Sequence, residues 1–121
     1  MAAEICLGNV MIDCGDEDAL CGFYAALLGW EKYDGLPAVR SKTGVVFLFK
    51  REEDYMPPVW PEQAGRQQKQ MHLDFQVKDL PAAVSRARAL GAVQVPQQYG
   101  GSHFVTMIDP AGHPFCLCLQ D

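Results

Sequence analysis

Residues 72–91 read HLDFQVKDLPAAVSRARALG, and their pattern sets the fold. Leu73, Phe75 and Val77 alternate with His72, Asp74 and Gln76, the period of two that gives a strand one apolar and one polar face. Asp79 follows, then an apolar stripe at helical spacing (Val84, Ala87, Leu90), then Gly91. An aspartate before a helix accepts from the free N–H groups of its first turn. Pro81 is tolerated in that turn, where its missing N–H has no helical partner. Glycine takes the left-handed conformation that ends a helix. The stretch therefore predicts strand, capped helix, stop.

The same arrangement occurs earlier, in NVMIDCGDEDALCGFYAALLG (9–29). Asp16 stands seven residues after Asn9, as Asp79 does after His72, and one gap aligns Gly29 with Gly91. Val10, Ile12 and Cys14 are expected to meet the helix, leaving Asn9, Met11 and Asp13 opposite. Leu20, Phe23 and Leu27 supply the stripe, and Glu17 and Asp18 sit where the helix dipole favours negative charge. Downstream, AVRSKTGVVFLFK (38–50) and MIDPAGHPFCLCL (107–119) each read strand, turn, strand. Between the copies, EEDYMPPVWPEQAGRQQKQ (52–70) has neither period.

The repeat predicts an α+β fold of two paired βαβββ modules in a single domain over 1–121. Module one covers about 5–55, a linker about 56–69 and module two about 70–121. Neither module can bury a sheet face alone, so the two must pair, with helices over one face of each sheet. In the last strand Phe115, Leu117 and Leu119 go one way and Cys116, Cys118 and Gln120 the other. The helix-free faces are mixed polar, and two of them curled toward each other would make a cleft.

Ten basic against fifteen acidic residues give a net charge of −5, with no basic run. That argues against nucleic acid and against an anionic membrane surface as partners. No apolar run is long enough to span a bilayer, and MAAEICLGNV lacks the two regions of a secretion signal. Five cysteines without a CxxC pair fit free thiols in a reducing cytoplasm, the expected location. The glycines of YGG (99–101) lack the strand–helix setting of a phosphate loop.

FYAALLGW (23–30), HLDFQVKDL (72–80), ALGA (89–92) and DPAGHPFCL (109–117) together resemble the vicinal oxygen chelate superfamily of glyoxalases, bleomycin resistance proteins and extradiol dioxygenases. With PPVWP (57–61) between the modules, the chain is similar to its glyoxalase-like branch. The resemblance implies a curved eight-stranded mixed sheet around a cleft, with helices on the outer face. In metal-dependent members the first and last strands of each module supply four ligands. Carried over, those positions are Asn9, Leu48, His72 and Cys116. Leu48 offers no donor, and His72 with Cys116 alone are too few for a zinc site, so neither a metal nor another cofactor is expected.

The implied function is binding of a small organic molecule in the cleft without a metal, as bleomycin resistance proteins do. The alternative is a metal-dependent lyase or dioxygenase with an atypical centre around His72. A metal-free enzyme using His72 or Asp74 for proton transfer is a third reading. Ligand contacts are expected from Asn9, Met11, Leu48, His72, Asp74, Cys116 and Trp60. His72 also reads as a structural histidine, and the loop carrying Tyr55, Met56, Pro57, Pro58 and Trp60 as one packed on the sheet edge. His113 is read as shaping its turn, His103 as a loop residue, Arg40 and Lys50 as solvated, and Cys116 and Cys118 as packing residues. A homodimer is expected, because two small open modules leave apolar edges to cover.

Overall fold

The computed structural model describes residues 4–120. Module one runs β1 (Val10–Cys14), α1 (Glu17–Leu28), β2 (Glu31–Lys32), β3 (Ala38–Arg40) and β4 (Val46–Arg51). Module two repeats the order with β5 (Leu73–Val77), α2 (Leu80–Ala89), β6 (Val93–Gln94), β7 (Phe104–Ile108) and β8 (Pro114–Leu119). Both caps form as the aspartates dictate. Asp16 accepts from the Ala19 N–H at 3.0 Å and Asp79 from the Ala82 N–H at 3.1 Å. Gly29 ends α1 at φ +66°, a conformation a side chain resists.

The sheets are orders β1-β4-β3-β2 and β5-β8-β7-β6, each with its first strand parallel to its last. The eight strands thus form two four-stranded sheets, and among the described residues no ladder joins β1 to β5. Side chains join the modules instead. The Phe23 and Tyr24 rings on α1 lie 6.1 and 6.4 Å from that of Phe115 on β8, and Tyr24 lies 6.1 Å from Phe75 on β5. Tyr24 also stacks on Phe49 of its own sheet, with centroids 5.8 Å apart. One core therefore takes the helix-facing sides of both sheets.

The alternation along each strand sorts side chains as the sequence predicts. Ile12, Cys14, Phe47, Phe49, Phe115 and Leu117 are buried in the core. Two residues of β8 depart from this: Leu119, in line with Phe115 and Leu117, is 41% exposed beside Leu80 and Val84 of α2, and Cys116, on the opposite face, is buried. Asn9, Met11, Asp13, His72, Asp74 and Gln76 are exposed on the helix-free side.

Candidate functional site

Strand geometry builds the site. His72 and Asp74 are two residues apart, so they stand on one side of β5, and His72 Nε2 lies 3.0 Å from Asp74 Oδ1. Parallel pairing sets Asp74 directly beside Cys116 on β8, and Cys116 stands opposite Thr106 on β7. The donor atoms of His72, Asp74 and Cys116 all fall within 4.8 Å of one another. Thr106 Oγ1 lies 3.3 Å from Cys116 Sγ. The His72 and Asp74 side chains are 33% and 65% exposed, so solutes reach this cluster, while Cys116 forms its buried floor.

Burial raises the pKa of the Cys116 thiol. The Asp74 charge adds to that, and the Thr106 hydroxyl opposes it. Burial and Asp74 likewise raise that of Cys118. Neither thiol is primed as a nucleophile.

Module one holds the same three places without the chemistry. Met11 pairs with Leu48 as Asp74 pairs with Cys116, and Asn9 precedes β1 as His72 precedes β5. The four positions of the superfamily's metal pattern are thereby divided, Asn9 and Leu48 on one sheet and His72 and Cys116 on the other. Leu48 is half-buried and carries no donor atom, so these residues do not fit the four-ligand centre.

A second polar cluster lies between the modules. Tyr24 is fully buried, and its hydroxyl donates to Asp109 Oδ2 at 2.6 Å. Asp109 Oδ1 accepts the backbone N–H groups of Ala111 and His113 at 2.8 and 3.0 Å. His113 Nε2 donates to the Asp13 carbonyl at 2.6 Å and sits 3.2 Å from the Tyr55 hydroxyl, which itself donates to the Ala111 carbonyl. Burial raises the Asp109 pKa, against the donors around it. His113 does more than shape its turn, since it ties β8 to β1. Tyr24 sits in an apolar stripe with a hydroxyl at its tip, the one local sign that a buried acceptor waits across the core.

The loop after β4 packs against this same turn. A Cβ at Gly112, whose φ is +92°, would stand 2.6 Å from the Pro57 Cβ. Trp60 is half-buried beneath Lys69, whose Nζ lies 4.0 Å from the ring centroid. Among the described residues no hydrogen bond or ring pair ties Trp60 to His72, Asp74 or Cys116. Arg40 lies near Glu31, at 3.9 Å, and over the Tyr33 ring, and His103 is an exposed loop residue. One surface hollow lies at the Gly112 turn, lined by Asp16, Tyr55, Pro57, Asp109 and Gly112. Another of about 680 Å³, lined by Leu80, Pro81, Val84, Val105 and Leu119, opens at the start of α2 and holds no group suited to acid–base chemistry except Lys78 and Asp79.

A sequence profile of the family described as Glyoxalase-like domain matches residues 9–118. The chain belongs to the glyoxalase-like domain family. This places it in the vicinal oxygen chelate superfamily, and solved structures agree. The domain superposes on a glyoxalase/bleomycin resistance protein/dioxygenase family enzyme from Burkholderia phytofirmans PsJN with a TM-score of 0.66 at 18% identity, over 93% of this chain and 96% of that one. It matches the genomically encoded fosfomycin resistance protein FosX from Listeria monocytogenes at 0.67 and 15% identity, over 98% and 94%. A hypothetical protein from S. aureus gives 0.70 at 13% identity, over 98% and 96%. At such identities the likeness is one of fold. No curated protein sequence matches the chain. Within this glyoxalase-like domain, no helix of the described residues is long and apolar enough to cross a membrane.

Proposed function

We propose that the domain binds a small organic molecule against the helix-free face of its second sheet, without the four-ligand metal centre of the superfamily's metal-dependent members. The observation that carries this reading is the reachable His72–Asp74 pair standing over Cys116, with Leu48 where a fourth ligand would be needed. The His72 ring offers two nitrogens for hydrogen bonding, and Asp74 orients it. Gln76, next along the same face, adds an amide. Met11 and Leu48 supply apolar surface on the first sheet.

The face is open on a single chain, with Met11 53% exposed. Ile5 and Leu7, just before β1, are 92% and 77% exposed. A second copy covering this apolar strip would shelter both the strip and a bound ligand, so the reading includes a homodimer. The free thiols fit a reducing cytoplasm.

The test is a thermal-shift screen of chelator-treated protein against a panel of small aromatic and polyhydroxylated compounds. Binding to the folded state alone raises Tm. The expected result is at least one compound whose shift disappears in His72→Ala and in Asp74→Ala. Compounds that shift wild type and both variants equally would contradict the assignment.

A further inference from the structure

We propose that the hollow between the starts of α2 and β7 and the end of β8 binds a medium-chain aliphatic carboxylate. Leu80, Val84, Val105 and Leu119 supply its apolar wall, with Lys78 and Ser102 beside them, around a volume of about 680 Å³. A hollow of this volume falls in the range that small ligands occupy. It lies on the helix-covered side of the second sheet, away from His72 and Asp74, and does not depend on the ligand proposed for that face.

Module one shows that the fold does not require an apolar hollow at this place. Arg51 pairs with Cys14 on the first sheet as Leu119 pairs with Val77 on the second. Glu17 follows the capping Asp16 as Leu80 follows Asp79. The Arg51 backbone N–H donates to Glu17 Oε2 at 3.4 Å, so module one closes this corner with polar groups. Module two puts a leucine at both places and leaves Leu119 41% exposed. Val84 and Val105, half-buried beside it, are aliphatic too. No aromatic ring lines the hollow, so it offers an alkyl chain close contacts and a flat ring no partner to stack on.

Charge sets the polar end of the ligand. Lys78 is the only cation lining the hollow, and among the described residues it makes no ion pair. Gly15 holds its place in module one, directly before the capping aspartate. Ser102 adds a hydroxyl donor. The one acid in the lining, Asp79, has Oδ1 engaged by the Ala82 N–H at 3.1 Å in the α2 cap. A carboxylate beside Lys78 and Ser102, with its chain lying toward Leu119, matches both ends of the hollow.

The probe is octanoate, which is neither aromatic nor polyhydroxylated and so lies outside the compound screen. It is titrated into isotope-labelled full chain and followed by amide chemical shifts. Saturable shifts are expected in residues 78–84, 101–105 and 117–119, and His72→Ala should leave them unchanged. Affinity should rise about threefold for each methylene added from hexanoate to octanoate. Leu119→Gln should lower it about fivefold or more, whereas Leu119→Met, which keeps an apolar side chain, should retain it. Lys78→Glu should lower octanoate affinity about threefold or more and leave that of neutral octanol unchanged. Both positions are exposed, so folding is not at risk. The proposal is overturned by an absence of saturable shifts, or by shifts that Leu119→Gln and Lys78→Glu leave in place. Shifts centred on residues 72–76 and lost in His72→Ala overturn it as well. So does movement of the hollow's own amides on dilution without octanoate, which would mean that a second copy fills it.

Discussion

Tyr24 and Asp109 show how much one buried hydrogen bond can decide. The phenol fills the core between both sheets, and its hydroxyl meets a carboxylate 85 positions away in sequence. Tyr24→Phe keeps the ring and removes one donor, so it should cost about 1–3 kcal/mol at neutral pH by urea denaturation. Burial raises the Asp109 pKa, so the folded state holds that proton more tightly than the unfolded chain. Its contribution to stability is then fully present below the ordinary carboxylate pKa and is lost as pH rises through the folded value. Wild type should therefore lose stability relative to Asp109→Asn as pH rises from about 4 toward neutrality. A difference that stays constant over that range would contradict the assignment. At this scale the sequence is uneven. His72 and Asp74 are legible as neighbours because a strand repeats every two residues. Cys116 joins them only through the pairing of β5 with β8, some forty residues apart, and nothing local announces it. Tyr24–Asp109 is the extreme case, a contact made wholly by tertiary packing.

At the scale of elements, alternation and capping carried most of the information. β4 illustrates the consequence. Phe49 is 1% exposed against Tyr24, while Leu48 is half-buried on the opposite face. Phe49→Ala should cost about 3–5 kcal/mol, and Leu48→Ala less than about 2, in the same denaturation experiment. Equal losses would mean that the strand faces are misassigned. The loop after β4 was less legible, because Pro and Gln set no period and its position depends on what it meets. It meets Gly112. Gly112→Ala adds a methyl 2.6 Å from Pro57 at a φ of +92°, so it should destabilise the domain by about 1 kcal/mol or more. An unchanged Tm would indicate a loop that does not rest on the turn.

For the whole molecule, the repeated pattern of strand, aspartate, helix and glycine was enough to give two βαβββ modules. It could not say how the modules join, since sheet edges and a shared core use the same strands. The answer is a core around α1, with the two sheets hydrogen-bonded separately. That leaves the apolar strip of Ile5, Leu7 and Met11 open on each chain. If a second copy covers it, sedimentation at tens of micromolar, roughly the range of ordinary association, should give a dimer that Met11→Glu dissociates. A monomer under those conditions would count against the pairing.

The proposed binding face is the helix-free side of the second sheet, around His72, Asp74 and Cys116. The most direct measurement is amide chemical-shift mapping of isotope-labelled chain in chelator, titrated with the compound that raises Tm most in the screen. Perturbations are expected along residues 72–76 and 114–118, and they should vanish in His72→Ala. Perturbations centred on the hollow of Leu80, Val84 and Val105, unchanged in that variant, would contradict it.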